Sequence, residues 1–522
     1  MSELPDRTEV LVVGAGPVGL AVAASLAGHG HDVTVVDRQA AGANTSRAAV
    51  VHARTLEMLE RIGASKRLAG LGIHAQQFSI RDGDRELVPV RFDRLPTEYP
   101  YTLMVPQNIT EQVLLERLEE LGGRVDRPYL ATGVSQTADG AEVTLDSGEM
   151  IRAQYVVAAD GMNSTIRDLA GLGSDGNDAL SLSFALADVR VEGGLPADQV
   201  LLFFSKPGML VVAPLPDGSF RLVAEVDDAP EQPDVAFAQQ LLNTRGPRRT
   251  TVRVTEVIWG SRFRIHERVA DQYRAGRVLL AGDAAHTHSP AGGQGMNLGL
   301  RDAVTLGDAL SVALREGRED KLDEYAAGSR AEAMNVVALA HRLTRLATAP
   351  PAVRPLRNVA LRLLAHVPAF RRRLAEQLSA IGHLRSCEAL ADSFGRAGLA
   401  ERYLAQEPGQ QEGGDREAGR REEDRRDRRR ERFDERLPDR LGEVTNERRV
   451  GGGGNVDAAR YPRGELRGEP VREDRAEDRD ANRAAYLAEE RRAGRGNPEH
   501  VPTGEKAAIG IDVLLPATGS RS

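Results

Sequence analysis

Cysteine is almost absent from this chain, because only one of its 522 residues, Cys387, is a cysteine. A single cysteine excludes an internal disulfide framework, a zinc site built on paired cysteines and a CxxC redox pair. The sequence also lacks the ~18 uninterrupted apolar residues of a membrane-spanning helix, and the segment Met1 to Glu9 is acidic and unlike a signal peptide. We therefore expect a cytoplasmic protein without a membrane span.

Aromatic residues and positive charge are scarce as well. Aromatic residues make up 4% of the chain, and its formal net charge is -8. Proteins that bind nucleic acids present basic surfaces and often stack bases on aromatic side chains. The composition therefore excludes nucleic acid as the main partner.

Residues 401–522 differ in composition from the rest of the chain. In residues 411–450, 26 of the 40 residues are charged, 13 of them acidic and 13 basic, against 28% in the whole chain. A segment this polar buries too little apolar surface to offset the entropy cost of an ordered backbone. We predict that residues 401–522 form a low-complexity, disordered tail without an essential catalytic role.

The first motif follows the apolar segment Glu9–Val13, which predicts a buried parallel strand. It is Gly14-Ala15-Gly16-Pro17-Val18-Gly19, and an alanine-rich helix comes next, then a second apolar segment that ends at Asp37. Glycines at this spacing allow a tight turn and a close approach to a pyrophosphate, which the helix N-terminus attracts. Asp37 would accept hydrogen bonds from ribose hydroxyls. The pattern predicts a dinucleotide-binding domain and leaves open whether the dinucleotide is FAD or NAD.

The second motif lies where another predicted strand, Tyr155–Ala159, ends. The strand leads into Asp160-Gly161, and Ser164 and Arg167 follow within two turns. Ligands of parallel sheets bind at the carboxyl ends of the strands. By itself, the motif is explained equally well by a strand end and a capped helix.

The third motif follows the predicted strand Arg277–Ala281. Gly282-Asp283 is followed by a glycine-rich loop and by a predicted helix start at residues 295–297, whose N–H groups favour an anionic ring edge. Asp283 can accept hydrogen bonds from a polyol. His286 and His288 resemble metal ligands, but they lack a convincing further ligand, so we expect no metal.

Together, these motifs resemble those of the class A flavoprotein monooxygenases, the family of para-hydroxybenzoate hydroxylase and the aromatic polyketide hydroxylases. The segments Ser46–Glu57 and Val105–Glu111 are similar to further stretches of that family, and the resemblance covers residues 1 to about 390. The larger polyketide hydroxylases carry a thioredoxin-like C-terminal domain, which residues 401–522 do not resemble. The single tryptophan, Trp259, excludes the Trp-x-Trp signature of the related flavin-dependent halogenases.

The resemblance implies FAD as the cofactor and NADPH or NADH as a transient co-substrate. It places the adenosine end of FAD over residues 14–19 and 37–38, and the flavin ring near residues 290 and 295–297. The residues implied to bind the cofactor are Gly14, Ala15, Gly16, Pro17, Gly19, Asp37, Arg38, Arg47, Gln107, Asp160, Gly161, Arg167, Gly282, Asp283, Pro290, Gly293, Gly295, Met296 and Asn297.

The expected fold class is α/β. A Rossmann-like FAD-binding domain with C-terminal helices comprises residues 1–75, 101–175 and 265–400, and a mostly antiparallel, inserted substrate-binding sheet comprises residues 76–100 and 176–264. Candidates for the substrate pocket on the inserted strands, which core packing explains equally well, are Phe203, Phe204, Met209 and Pro214.

The resemblance implies an FAD-dependent monooxygenase of secondary metabolism. Such an enzyme uses NAD(P)H and O2 to hydroxylate an aromatic or polycyclic, polyketide-like small molecule through a flavin 4a-hydroperoxide. No catalytic residue is selected, and the candidates for a general base, chosen by residue type alone, are His52, Arg221, Arg262 and His266. Two alternatives remain: an FAD-dependent dehydrogenase or reductase without oxygen transfer, and a non-catalytic protein that interacts through its charged tail.

Overall fold

The computed structural model describes residues 4–42, 48–173, 182–226, 228–265, 267–289, 292–347, 349–350 and 352–381. The predicted tail and the candidate residues Arg47, His266 and Pro290 lie outside these ranges.

The described residues form strands and helices, and Gly282–Ala284 form a 3-10 turn. The strands are β1 (Arg7–Val13), β2 (Val33–Val36), β3 (Val50–Val51), β4 (Ile73–Ala75), β5 (Gln77–Asp82), β6 (Arg85–Arg91), β7 (Thr102–Met104), β8 (Val125–Asp126), β9 (Ala131–Gln136), β10 (Ala141–Leu145), β11 (Met150–Ala158), β12 (Leu182–Gly193), β13 (Gln199–Ser205), β14 (Gly208–Pro214), β15 (Phe220–Glu225), β16 (Val252–Ile265), β17 (Arg268–Val269), β18 (Arg274–Ala275), β19 (Val278–Leu280) and β20 (His286–Thr287). The helices are α1 (Pro17–Gly28), α2 (Ala53–Glu60), α3 (Ser65–Leu71), α4 (Gln107–Glu120), α5 (Thr165–Leu169), α6 (Val235–Arg245), α7 (Gly295–Glu316), α8 (Asp320–Ala347), α9 (Arg354–Ala365) and α10 (Pro368–Leu378).

The first sheet carries all three motifs. Its strands lie in the order β18-β19-β11-β1-β2-β8, and the hairpin of β9 and β10 extends it by pairing with β11. β1 is parallel to both β2 and β11, and β11 is parallel to β19. Val10 and Val12 of β1 face one apolar core and Leu11 and Val13 face another, which explains why this strand is apolar throughout.

The second sheet has the strand order β16-β12-β15-β14-β13-β5-β6. Its described pairs are antiparallel except β13 with β5, which is parallel. One face packs on α6, where Phe203, Leu210 and Leu222 are buried against Leu241 and its neighbours. The opposite face of this sheet does not pack on α6 and covers a different part of the molecule.

Smaller elements complete the described chain. β3, β7 and β4 form a three-stranded antiparallel sheet, and β17 pairs with β20. α7 packs against α1 and α8. None of the helices in the described ranges is long and apolar enough to span a membrane.

The predicted fold class is confirmed, with a Rossmann-like parallel core and a separate, mostly antiparallel sheet. The apolar spacing from Thr55 to Leu71 is that of a single helix, but these residues belong to two helices, α2 and α3, because the chain turns at Gly63, whose φ is +77°. The alternating pattern of Glu142–Leu145 is typical of the antiparallel strands expected in the inserted sheet, but these residues belong to β10 of the first sheet. The domain boundaries themselves stay a prediction.

Candidate functional site

The three motifs meet because their strands are neighbours. β19, β11, β1 and β2 are adjacent in the first sheet and parallel, so their carboxyl ends share one edge. Gly14 follows β1, Asp37 follows β2, Asp160 follows β11, and Asp283 follows β19. The sheet thus assembles at one edge the residues that are far apart in the sequence.

The fingerprint glycines have two different roles. A Cβ on Gly14, whose φ is +104°, would lie 2.3 Å from the backbone oxygen of Ala159, and one on Gly19 would lie 1.8 Å from the oxygen of Gly14. A Cβ on Gly16 would meet nothing within 4 Å. Gly16 is the N-cap of α1 and provides no side-chain cap, so the first N–H groups of this helix are left for a ligand.

Asp37 joins the second strand to the fingerprint. Its Oδ2 accepts a hydrogen bond from the Ala15 N–H at 2.7 Å, and its Oδ1 accepts one from the Gln39 N–H at 2.8 Å. Asp37 and the exposed Arg38 both line the cavity described below. The carboxylate therefore lies beside the helix N-terminus at the predicted ribose position.

Asp160 is a half-buried acid, and one of its two carboxylate oxygens accepts hydrogen bonds from the backbone. Its Oδ2 accepts a hydrogen bond from the Thr165 N–H at 2.8 Å at the start of α5, while Oδ1 is buried without a partner among the described residues. Burial raises the pKa of this carboxyl. Asp160 and Gly161 line the cavity.

Arg167 does not lie in the cavity, where a residue that binds the cofactor is expected. It is only 6% exposed, and its Nη1 donates hydrogen bonds to the backbone oxygens of Met162 at 3.1 Å and Ala284 at 3.2 Å. It is not among the described residues that line the cavity. Arg167 therefore positions the loops of the second and third motifs, and Ser164 caps α5 by accepting the Arg167 N–H.

The third motif places an acid in the cavity and buries the residues around it. Asp283 is exposed and lines the cavity, whereas a Cβ on Gly282 would lie 2.7 Å from Cγ2 of Val18 in α1. Asn297 is fully buried, and its side chain bonds the backbone of Val50 at 2.9 Å and that of His52 at 2.7 Å. Of the expected cofactor residues, those that are described but do not line the cavity are Gly19, Arg167, Gly282 and Asn297.

His286 and His288 line the cavity next to Asp283. His286 Nε2 lies 2.6 Å from Oδ2 of Asp302, with both side chains buried. Burial lowers the pKa of His288 to about 4, and its Nδ1 lies 2.8 Å from the oxygen of Ser289. In the part of the chain that is described, no group of three or more His, Cys, Asp or Glu residues could hold a metal ion.

A cavity of about 580 Å³ connects the motifs to the inner face of the second sheet. Its first part is bounded by the fingerprint, the ends of β2 and β8, Gln107 and the Asp160 loop, and its second part by the sheet and three leucines of α8 and α10. The apolar residues of this second part are Phe78, Ile80, Val200, Leu202, Phe204, Met209, Val211, Ala213, Val223, Phe263, Leu343, Leu374 and Leu378.

Strand alternation decides which inserted residues reach the cavity. Phe204 pairs with Met209 across β13 and β14, and both line the cavity. Phe203 and Pro214, one residue out of phase, do not line it, and Phe203 packs on the α6 side. Two of the four pocket candidates are thus on the cavity face, because adjacent strand residues point to opposite faces.

The described base candidates are all engaged in structural contacts. His52 is fully buried, its Nε2 lies 2.9 Å from the oxygen of Gly292, and burial lowers its pKa to about 4. Arg221 forms a two-bond pair with Asp188, both bonds 2.7 Å long. Arg262 donates to the oxygen of Ala229 and to Glu231. None of these three is placed as a base for a ligand in the cavity.

The cavity fits an extended flavin dinucleotide. It contains an uncapped helix N-terminus at Gly16, an acid for the ribose at Asp37, and a second uncapped helix start at Gly295, whose Cβ position is open. Asp283 follows β19 at the same sheet edge and lines the cavity, where it could accept hydrogen bonds from a polyol chain. Asp160 adds a buried oxygen without a described partner.

The fold and the cavity thus combine a dinucleotide-binding edge of a parallel sheet with an apolar pocket on a neighbouring sheet. A family model described as an FAD binding domain matches residues 7–340. The chain belongs to this FAD-binding family, and within it to the class A flavoprotein monooxygenases, as the sequence motifs indicated.

Known relatives support this assignment. The chain is 36% identical to 6-methylpretetramide 4-monooxygenase of Streptomyces rimosus over 393 residues. The aligned region covers 72% of this chain and 69% of the relative. The crystal structure of p-nitrophenol 4-monooxygenase PnpA of Pseudomonas putida DLL-E4 matches with a TM-score of 0.64 and 26% identity, over 72% of this chain and 99% of that one.

A second solved structure is similar in sequence as well as in fold. The anhydrotetracycline hydroxylase OxyS of Streptomyces rimosus matches with a TM-score of 0.60 and 33% identity, over 72% of this chain and 76% of that chain. The protein is therefore an FAD-dependent monooxygenase of the aromatic hydroxylase type.

Proposed function

We propose that the protein uses O2 and electrons from NADPH or NADH to hydroxylate a neutral, polycyclic aromatic molecule of the polyketide type. The observation that carries this proposal is the continuous cavity, which joins the dinucleotide edge of the first sheet to an apolar wall on the second. Relatives whose names refer to tetracycline-type compounds support the substrate class.

The wall favours a large, uncharged substrate. Side chains at every second position of β13, β14 and β15 form one surface, in which Leu202 faces Val211 and Val211 faces Val223 across the strands. Within the described chain, the charged residue on this wall is Arg221. The two hydrogen bonds that it donates to the Asp188 carboxylate neutralise its charge. A substrate carboxylate would have to compete with Asp188, so a neutral ring system fits better.

The residues of the chain hold the cofactor and orient the substrate. Bound FAD supplies the redox chemistry that activates O2. The N-termini of α1 and α7, Asp37, Asp160 and Asp283 would hold FAD along the sheet edge. The apolar wall excludes water and holds the aromatic ring in a fixed orientation at the flavin end of the cavity, which contributes to rate by positioning.

We expect the substrate to control consumption of the reductant. The free enzyme should oxidise NAD(P)H slowly, and the true substrate should increase this rate at least about tenfold, equivalent to ~1.4 kcal/mol in the barrier. The test is a panel of hydroxylated naphthacenes and anthraquinones, with para-hydroxybenzoate as a charged, single-ring control. NAD(P)H oxidation, O2 uptake and product mass are measured together.

A gain of one oxygen atom in a polycyclic product, with stimulated NAD(P)H oxidation, would support the proposal. Turnover of the polycyclic compounds without a gain of oxygen would instead identify an FAD-dependent dehydrogenase if the product has lost hydrogen, or a reductase if the product has gained hydrogen. A preference for para-hydroxybenzoate over all polycyclic compounds would contradict the substrate class.

A further inference from the structure

Arg127 lines the cavity at a position that the sequence motifs did not indicate. It follows β8, which is parallel to β2, so it lies next to the Asp37 end of the cavity. Its Nη2 donates one long hydrogen bond, 3.4 Å, to the oxygen of Ala15 in the fingerprint. Its Nε is buried without a partner among the described residues. The guanidinium thus retains donor capacity next to the fingerprint.

Glu111 of α4 lies beside Arg127. A Cβ placed on Gly42 would be 3.7 Å from Arg127 Nη1 and 3.9 Å from Glu111 Oε2, so both groups border the same small volume. Glu111 is only 8% exposed, lines the cavity, and accepts a hydrogen bond from Gln107 Nε2 at 2.8 Å. Burial raises the pKa of Glu111, and the charge of Asp37 also raises it, while Gln107 and Arg127 oppose this shift.

These charges surround the place where the fingerprint would receive a diphosphate. A diphosphate brings negative charge, and a guanidinium matches its oxygens with paired hydrogen bonds. Within the described chain, Arg38 is the other cavity-lining arginine near the fingerprint, and it is exposed. An ionised Glu111 would repel the same diphosphate, so the two side chains should act in opposite directions on binding.

We propose that Arg127 is a cofactor-binding residue that recognises the ADP half of FAD, and that Glu111 limits the strength of this recognition. Arg127 reaches the fingerprint from the end of β8, where its Nη2 donates to the Ala15 oxygen. Glu111 keeps the guanidinium charge partly compensated before the cofactor binds. The proposal rests on FAD as the cofactor and is independent of the substrate proposed above.

The test separates the ADP half of the cofactor from the flavin half. FAD is removed from the full-length protein, and the affinities of the apoprotein for FAD, ADP and riboflavin are measured by fluorescence and calorimetry. The variants are Arg127→Met, Glu111→Gln and the double variant. Arg124→Met is the matched control, because Arg124 is a neighbouring, more exposed arginine that pairs with Asp126 and does not line the cavity.

Arg127→Met should lower the affinities for FAD and ADP about tenfold and leave that for riboflavin unchanged, and Glu111→Gln should raise the affinities for FAD and ADP several-fold. The double variant should lie between the two. Circular dichroism of each apoprotein shows that it is folded. The proposal would be overturned if Arg127→Met lost as much affinity for riboflavin as for FAD, or if Arg127→Met bound FAD as tightly as Arg124→Met does. A lower affinity of Glu111→Gln for FAD would overturn it as well. Failure of hydroxylation with these affinity changes intact would contradict only the proposed substrate chemistry.

Discussion

Arg167 donates a hydrogen bond from Nη1 to the backbone oxygen of Ala284, 3.2 Å away, and thereby joins the loop after β11 to the loop after β19. The same nitrogen also donates to the oxygen of Met162 within its own loop. Two loops that carry Asp160 and Asp283 are thus held at a fixed separation by one buried guanidinium. Their carboxylates owe their relative position to a residue that does not line the cavity.

Arg167→Ala should reduce both stability and FAD affinity. Removal of the guanidinium leaves two backbone oxygens without this donor, which costs about 1–3 kcal/mol in the free energy of unfolding. Urea unfolding and FAD titration measure the two effects. Arg152→Ala is the control, because Arg152 of the same sheet is exposed and pairs with Glu142 at the surface, so its removal should change stability much less. An Arg167→Ala variant as stable as the control would contradict the positioning role.

The fingerprint glycines should separate folding from cofactor binding. Gly16→Ala adds a Cβ that meets no protein atom within 4 Å, at a φ of -73° that alanine adopts readily, so the free energy of unfolding should change by less than ~1 kcal/mol. The added methyl group enters the cavity and should weaken FAD binding. Gly19→Ala places a Cβ 1.8 Å from a backbone oxygen and should cost about 3 kcal/mol or more. Equal stability losses in both variants would show that Gly16 is a packing position.

Asp37 and Asp283 should each contribute to FAD affinity from opposite ends of the dinucleotide. Asp283→Ala removes the exposed cavity acid at the sheet edge, and Asp37→Ala removes the acceptor beside Ala15. Each should weaken FAD binding by about 1–3 kcal/mol, the usual cost of an unpaired buried partner. Fluorescence titration of the apoproteins checks this. Because Asp37 also bonds two backbone N–H groups, its variant should lose stability as well. Unchanged FAD affinity in both variants would contradict the assignment of this edge.

The sequence was sufficient to predict the cofactor edge because each motif is local. A buried strand, a glycine turn and an acid within a few residues define one strand end, and parallel strands bring such ends together. The contact between Arg167 and Ala284 was not predictable in this way, because it joins residues of two separate motifs. The sequence did not indicate Arg127 for the same reason, because Arg127 comes close to Ala15 only when β8 pairs with β2.

The apolar wall of the cavity was predictable only in part. Phe203 and Phe204 are both apolar and both buried, because one face of their strand packs on α6 and the other on the cavity. Alternation of polar and apolar residues, which normally identifies the core face, is therefore missing from β13 and β14. Only the positions of α6 and of the first sheet decide which phenylalanine lines the cavity.

Val211 and Val212 provide a test of this alternation. Val211→Trp should fill the cavity wall, leave FAD binding intact and abolish the stimulation of NAD(P)H oxidation by a polycyclic substrate. Val212, fully buried towards α6, has no room for a tryptophan, so Val212→Trp should cost about 1–3 kcal/mol or more of stability. Urea unfolding, FAD titration and stimulated NAD(P)H oxidation are measured for both. A destabilised Val211→Trp beside a stable Val212→Trp would mean that the two faces are reversed.

Buried histidines should make the stability of the protein fall in mild acid. Burial lowers the pKa values of His52 and His288 from 6.5 to about 4, so between these pH values the unfolded chain binds protons that the folded chain excludes. Above pH 6.5, these two histidines should therefore leave the free energy of unfolding unchanged. Below pH 6.5, each histidine should lower it by at most about 1.4 kcal/mol per pH unit, until the folded form is protonated near pH 4. His288→Gln should reduce this slope. Urea unfolding from pH 7.5 to pH 4.5 measures the slopes. An identical slope in the His288→Gln variant and the wild-type protein would show that His288 takes up its proton in the folded state as readily as in the unfolded chain.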